Sequence, residues 1–143
     1  MVILTRKCRY ALRAVLELTR QRGGPPVPAR DIAKKQAIPK RFLEDILQVL
    51  KDSNLVRSQR GARGGYELVL DPAQITVGQI VRLIDGEMDY CDCTSCGGNQ
   101  FCPLLDDCPF IEVWQQAKKA SSEALNSVSF RDLLKSGLQL EKA

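Results

Sequence analysis

The residues best suited to chemistry are cysteines, because five of the six lie in one twenty-residue stretch, YCDCTSCGGNQFCPLLDDCP, from Tyr90 to Pro109. The spacings that follow Cys91 are one, two, five and five intervening residues. Thiols at this density either cross-link or share a metal. An iron–sulfur cluster commonly takes four thiolates from a flexible loop, and glycines at positions 97 and 98 would let backbone N–H groups approach the sulfurs. The stretch therefore favours an iron–sulfur cluster.

Zinc and a disulfide switch are the alternatives for the same cysteines. Tetrahedral zinc prefers two close cysteine pairs, each with two to four residues between the ligands. Cys93 and Cys96 form one such pair, whereas Cys102 and Cys108 are too far apart to form a second. The sixth cysteine, Cys8, stands alone in the first predicted helix, where it is either a small core residue or a ligand supplied by a partner subunit.

Length and composition bound the class of protein. A chain of 143 residues is one domain by the usual expectation, and 44% apolar residues suffice for a single modest core. No apolar run is long enough for a membrane helix, and the N-terminus has no signal-peptide core. We therefore expect a cytoplasmic protein, in which thiols stay reduced. Histidine is absent, which removes the commonest general base and the commonest imidazole metal ligand.

The net charge of +4 hides a division between the two halves of the chain. Residues 1–70 carry fifteen Lys and Arg against six Asp and Glu, a balance of +9. Residues 71–143 carry six against eleven, a balance of −5. A basic half beside an acidic half indicates that one part meets a polyanion, although a solvated basic surface would look the same.

The basic half contains a helix-turn-helix pattern. Three helices are predicted there, over residues 4–22, over about 29–36, and from Pro39 onward. In the third helix one apolar stripe comprises Leu43, Ile46, Leu47 and Leu50. A short helix, a tight turn and a longer helix with a polar outer edge are typical of DNA readers. The candidate base-reading residues outside the stripe are Lys40, Arg41 and Glu44.

A basic hairpin follows the helix-turn-helix. Leu55 and Val56 predict one strand, and Tyr66, Leu68 and Leu70 predict a second. Between them lies a loop that is rich in glycine, which permits tight turning, and in arginine, which can reach phosphates or the minor groove. The arginines are Arg57, Arg60 and Arg63. We interpret the hairpin as a wing; the alternative is a small helical domain with a mobile charged hairpin.

The acidic half begins with a short helix capped by Thr76 and continues into the cysteine loop, at about 90–109. A long helix is predicted over about 110–128, with a heptad seam for dimerisation made of Phe110, Trp114, Ala117, Ser121, Ala124 and Val128. The same stripe would also suit packing on the core of its own chain. The tail, residues 130–143, is amphipathic, and the sequence assigns it no role.

Together these elements predict a mainly α fold with a small β-hairpin wing. We expect a single-domain regulator in which residues 1–70 form a winged helix-turn-helix DNA-binding part. Residues 71–143 would hold the cysteine loop and the long C-terminal dimerisation helix.

The sequence resembles the IscR/NsrR-type transcriptional regulators (the Rrf-two family) over nearly its whole length. The family opening matches Leu4-Thr5 and Tyr10-Ala11, and the helix-turn-helix matches the family pattern at Ile38, Leu43 and Glu44. The wing resembles the family's Arg-Gly-x-x-Gly-Gly-Tyr signature through Arg60, Gly61, Gly64, Gly65 and Tyr66. Three cysteines five residues apart and a later tryptophan also match, at Cys96, Cys102, Cys108 and Trp114.

The resemblance implies a homodimeric winged-helix repressor or activator that carries an iron–sulfur cluster, often 2Fe–2S and sometimes 4Fe–4S. We favour 2Fe–2S, with zinc as the alternative. The resemblance implies Cys96, Cys102 and Cys108 as cluster ligands. Cys91 and Cys93 have no counterpart in the family pattern; we expect Cys93 as the fourth ligand, and it could also replace Cys96. Cys91, or Cys8 from the partner subunit, could replace Cys93. Some members use a histidine or a carboxylate as fourth ligand, but the matching positions here are Ile111 and Arg9.

The predicted function is promoter binding controlled by the cluster, which would report on cluster supply, iron, nitric oxide or redox state. A zinc-structured or thiol/disulfide-switched winged-helix regulator is the alternative. A small redox or electron-transfer protein is disfavoured, because histidine is absent and the glycines at 61–65 do not open a helix as a phosphate loop should. We therefore predict a protein that binds double-stranded DNA and itself, that does not bind membranes, and that is not an enzyme.

Overall fold

A computed structural model describes residues 3–90 and 104–140 of the chain. Within these ranges six α-helices and one antiparallel hairpin follow each other in the order α1 (Arg6–Arg20), α2 (Ala29–Gln36), α3 (Lys40–Asp52), β1 (Val56–Gln59), β2 (Gly65–Leu68), α4 (Val77–Asp85), α5 (Ile111–Asn126) and α6 (Phe130–Leu140). Short 3₁₀ turns at Pro72–Gln74 and Leu105–Asp107 precede α4 and α5. The predicted winged helix-turn-helix fold is confirmed.

Helix α1 lies at the centre of the fold. The Thr5 side chain caps it by accepting a hydrogen bond from the backbone N–H of Cys8 at 3.1 Å, which satisfies one of the donors left free at a helix start. The helix buries one apolar face, as its spacing predicts, through Ala11, Ala14, Val15 and Leu18. This face contacts α2, α3, α4 and α6, so α1 connects the basic half of the chain to the acidic half.

Helices α2 and α3 form the helix-turn-helix. Ala37 ends α2 in the left-handed conformation, with φ 51° and ψ 47°, and turns the chain toward α3. The predicted stripe of α3 is buried through Leu43, Ile46, Leu47 and Leu50. Burying each such side chain contributes roughly 1.5–3 kcal/mol, so this stripe fixes which face of α3 remains outside.

The wing is a two-stranded hairpin in which Val56 pairs with Leu68 and Gln59 pairs with Gly65. A third segment joins its edge, because Val27 and Tyr66 exchange two backbone hydrogen bonds of 2.8 Å. Gly65 permits this approach: a Cβ atom there would lie 2.4 Å from the backbone carbon of Val27. The wing is therefore fixed to the α1–α2 connection as well as to α3.

Helix α5 crosses α4 at a glycine. A Cβ atom on Gly78 would lie 2.1 Å from the side-chain oxygen of Asn126, so a larger residue would displace that side chain. The helix begins at Ile111 and ends at Asn126, one and two residues inside the predicted limits of 110 and 128. It ends early because the following segment pairs with the start of α4, where Val77 donates to the carbonyl of Val128 at 3.0 Å.

Helix α6 returns to the central helix and gives the tail a role that the sequence did not predict. Phe130 is completely buried, and its backbone N–H donates to the carbonyl of Ile75 at 3.0 Å. Leu133 packs partly against the same core. In the described part of the chain, no helix combines the length and apolar character required to cross a membrane.

Candidate nucleic-acid interface and cysteine segment

The outer face of α3 carries the three predicted base-reading residues. Lys40, Arg41 and Glu44 are all exposed, and they occupy the first two turns of the helix. The Lys40 ammonium lies 3.9 Å from the Glu44 carboxylate, an i,i+4 pair whose side chains are 88% and 63% exposed. Such a pair is weak in water, so both groups remain available to a ligand. The first turns of α3 thus present two cations and one carboxylate.

An aromatic contact fixes the start of α3 against α1. The rings of Tyr10 and Phe42 meet edge to face, with centroids 5.4 Å apart. The guanidinium of Arg41 lies 5.1 Å from the centroid of the Phe42 ring, and that of Arg13 lies 5.0 Å from the Tyr10 ring. Arg41 is therefore held beside a rigid aromatic pair while it remains exposed.

The three predicted arginines of the wing lie in two different places, one on a strand and two in the loop. Arg57 lies on β1, and its Nε donates to the carboxylate of the cross-strand neighbour Glu67 at 2.7 Å. Arg60 and Arg63 lie in the exposed loop between the strands. Arg57 is thus engaged on the sheet, whereas the loop arginines project from the tip.

A buried carboxylate that the sequence pattern does not predict connects α1 to the helix-turn-helix. The Glu17 side chain is 3% exposed and accepts hydrogen bonds from the amides of Gln36 at 2.9 Å and Gln21 at 3.2 Å. The Lys35 ammonium lies 3.4 Å and the Arg20 guanidinium 3.7 Å from its oxygens. Burial alone would raise the pKa of Glu17, but the hydrogen bonds from Gln36, Gln21 and Lys35 outweigh it and lower the pKa.

The segment before the cysteines is attached to α5 by two polar contacts. The Lys118 ammonium donates to the Asp89 carboxylate at 2.7 Å, with both side chains half-buried. The hydroxyls of Tyr90 and Ser121 are hydrogen-bonded 2.7 Å apart. Ser121 belongs to the predicted dimer seam, so this seam residue makes a contact within its own chain.

Of the four predicted cluster ligands, the structure describes one. Cys93, Cys96 and Cys102, together with Cys91, lie outside them. Cys108 is described: it is a half-buried free thiol between the second 3₁₀ turn and α5. Over residues 3–90 and 104–140, no three metal-binding side chains come together in one group. The structure thus describes one predicted ligand and both flanks of the segment.

Cys8 is a core residue in this structure. Its side chain is completely buried beneath the junction of α1 and α4. Burial, followed by the nearby Asp85 carboxylate, raises the pKa of the Cys8 thiol to about 12. Metals bind the thiolate, so a buried neutral thiol does not suit a shared cluster. This observation favours the first of the two roles considered for Cys8.

Asp85 connects the end of α4 to the start of α1. One carboxylate oxygen accepts from the backbone N–H of Thr5 at 3.0 Å, and the other accepts from the Thr5 hydroxyl. Asp85 is the last residue of α4, and the segment that leads to the cysteines departs directly after it. The cap of α1 is therefore held by the last residue of α4, where the chain segment that leads to the cysteines begins.

Comparison with known proteins connects this geometry to a family. The profile of the Rrf2 family, described as "Iron-dependent Transcriptional regulator", matches residues 4–136. The regulator IscR of Sodalis glossinidius is 35% identical over 131 residues, which cover 92% of this chain and 78% of the relative. IscR of Yersinia enterocolitica is 34% identical over 140 residues, or 98% and 84% of the two chains.

Solved structures agree with this comparison. IscR of T. potens superposes with a TM-score of 0.74 at 29% identity and covers 95% of this chain and 88% of that one. CymR, the global cysteine regulator of B. subtilis, superposes with a TM-score of 0.74 at 29% identity, over 93% and 96% of the two chains. The similarity therefore extends over nearly the whole length of the chain.

Proposed function

The chain belongs to the Rrf2 family and is a DNA-binding transcriptional regulator of the Rrf2/IscR type, and we propose that an iron–sulfur cluster in the cysteine segment controls its promoter binding as a homodimer. The observation that carries the proposal is the pair of links made by the chain just before the cysteines. Asp85 binds Thr5, the residue that caps α1, and α1 supports α3; Asp89 and Tyr90 bind α5. A change in the cysteine segment would reach both the reader and α5.

The proposed DNA interface combines α3 and the tip of the wing. α3 enters the major groove, where Lys40 and Arg41 donate to base edges or phosphates and Glu44 accepts from a cytosine amino group. Arg60 and Arg63 contact phosphates or the minor groove. The exposure of these five side chains supports the assignment. Arg57 was predicted as a further contact, and it would have to leave Glu67 to make one.

The proposed cluster ligands are Cys93, Cys96, Cys102 and Cys108. Their chemistry fits the group, since clusters are held by thiolates and the sequence supplies four within sixteen residues but no histidine. The proposed type is 2Fe–2S rather than 4Fe–4S. When bound, the cluster would supply a centre that responds to electrons, oxygen or nitric oxide. The protein's own contribution is to hold the four sulfurs between α4 and α5.

The proposed dimer uses the outside of α5. None of the residues of this helix is buried in the single chain, and Phe110 and Val113 are 59% and 51% exposed. Apolar residues recur along this side at Phe110, Val113, Ala117, Ala120 and Ala124. Three of them belong to the predicted seam, and all five would pack against the same helix of a second copy. Two readers on one dimer would then meet adjacent half-sites.

We further propose that the protein acts in the cytoplasm, where its DNA lies and where thiols stay reduced, and that it has no catalytic activity of its own. The experiment that tests the cluster is oxygen-free purification followed by an absorption spectrum and counts of iron and sulfide. We expect a brown protein whose iron is lost when Cys93, Cys96, Cys102 or Cys108 is replaced by alanine. Retention in Cys8→Ala is expected, because that thiol is buried in the core.

Three results would contradict this proposal. A colourless protein with tightly bound zinc would indicate a structural metal site. A protein with neither metal, but with a disulfide that changes DNA affinity, would indicate a thiol switch. Iron loss in Cys91→Ala with retention in Cys93→Ala would overturn the proposed fourth ligand.

A further inference from the structure

The Glu17 carboxylate is among the few charged groups buried in the described part of the chain. Its side chain is 3% exposed, and the nitrogens of Gln36, Gln21, Lys35 and Arg20 lie 2.9 to 3.7 Å from its oxygens. A buried carboxylate is costly unless it is paired and hydrogen-bonded. The Glu17 carboxylate is paired on two sides, so its hydrogen bonds and ion pairs fix the positions of the groups around it.

The partners of Glu17 connect two elements. Arg20 ends α1 and Gln21 follows it, whereas Lys35 and Gln36 lie in the last turn of α2. The next residue after Gln36 turns the chain toward α3, so the position of this last turn sets where α3 begins.

Few apolar contacts fix the position of α2, so its polar contacts with Glu17 matter more. This helix has eight residues, of which only Ile32 is buried. Its neighbour α3 buries four aliphatic side chains. With one buried side chain and two alanines partly packed on the core, Ala29 and Ala33, α2 has less apolar packing than α3, and the Glu17 contacts add a restraint at its last turn.

We propose that Glu17 is a positioning residue for DNA reading. It fixes the last turn of α2 on α1 and thereby sets the orientation from which α3 presents Lys40 and Arg41. It touches no DNA itself. The inference rests on the proposed use of α3 as the reader.

Replacing Glu17 by Gln has two expected effects on DNA affinity, and they have opposite signs. The direction of the measured change therefore distinguishes between them. Loss of one carboxylate raises the net charge from +4 to +5, so electrostatics alone predicts tighter DNA binding. Loss of positioning predicts weaker binding. If the fraction of molecules with the reader in place falls to a tenth, the apparent affinity falls about tenfold. The slope of log K against log salt should stay unchanged, because no phosphate contact is lost.

The matched control is Asp71→Asn, which also converts one carboxylate to an amide and makes the same charge change. Asp71 binds Arg131 at 2.8 Å outside the helix-turn-helix. The DNA probe is a duplex recovered by the wild-type protein from a random-sequence pool. Isotherms are measured at neutral pH and at a temperature where circular dichroism finds each variant folded. We expect the control to bind as tightly as the wild type or more tightly.

Gln36→Ala provides a second variant, because it removes the 2.9 Å hydrogen bond from the other side and leaves Glu17 in place. It should weaken binding in the same direction, and amide hydrogen exchange over residues 33–38 should accelerate in both variants. If the wild type binds the probe while Glu17→Gln and Gln36→Ala bind like Asp71→Asn, the inference is wrong and DNA recognition stands. If the wild type recovers no duplex, the proposed function fails and the inference fails with it.

Discussion

At the tip of the wing, Arg60 offers a test of a single proposed phosphate contact. Arg60→Ala should weaken binding to the operator duplex and reduce the salt slope by about one unit, because one fewer counterion is released. Lys119→Ala is the control, since that exposed lysine lies on α5 and its loss makes the same charge change. Equal slopes in the two variants would remove Arg60 from the interface. The measurement is a series of binding isotherms from low to moderate salt.

The pKa of Glu17 leads to a prediction about stability. Its pKa lies below the ordinary value of 4.5 in the folded protein, so the unfolded chain binds the proton more readily. The stabilisation is therefore present above pH 4.5 and is lost as the pH falls through the folded pKa. The free energy of unfolding should differ between wild type and Glu17→Gln at pH 7, and the difference should shrink toward pH 3.

Urea titrations at several pH values measure this difference. Asp71 and Asp132 also have lowered pKa values, from backbone hydrogen bonds above all, but they are present in both proteins and cancel in the comparison. A difference that stayed constant from pH 7 to pH 3 would show that the carboxylate charge contributes nothing to folding.

Residues whose partners lie nearby in sequence were the ones that could be predicted. Thr76 caps its helix through a donor three residues later, and the α3 stripe follows helical periodicity. Glu17 could not be predicted, because its partner Gln36 lies nineteen positions away and a lone glutamate in a helix resembles a solvated residue. Similarly, the ion pair of Arg57 depends on the strand register, which the wing arginines alone do not reveal.

At the scale of elements, helix α5 carries the prediction about assembly. Ala120→Glu should convert a dimer into a monomer, because it puts a charge in the middle of the exposed apolar side. Gln115→Glu is the control on the opposite side of the helix and makes the same charge change. Sedimentation equilibrium should give half the wild-type mass for the first variant only. A wild-type monomer, or a dimer in both variants, would contradict the proposed use of this face.

The limits and surroundings of elements were harder to predict than their existence. All of the predicted helices up to α5 occur, since each has a cap or an apolar face in the local sequence. The early end of α5 depends on pairing between Ser129 and Thr76, which no local signal encodes. The core position of Phe130 has the same origin, so the tail looked amphipathic without a visible partner.

At the scale of the whole molecule, the charge division corresponds to two structural parts that share one core. The basic half forms the reader and wing, and the acidic half forms α4, the cysteine segment and α5. Helix α1 connects them, with Asp85 at its start and Glu17 near its end. Because Asp85 precedes the cysteines and binds the start of α1, the proposed control by the cluster would reach α3 through α1.

The most direct test of this account is the affinity of the oxygen-free protein for its operator duplex before and after iron is removed with a chelator. Control by the cluster predicts a change in affinity of tenfold or more, and tenfold corresponds to about 1.4 kcal/mol. The same treatment of Cys108→Ala should change nothing. Equal affinities for the iron-loaded and iron-free wild type would contradict control by the cluster, and would leave a winged regulator whose DNA binding ignores its cysteines.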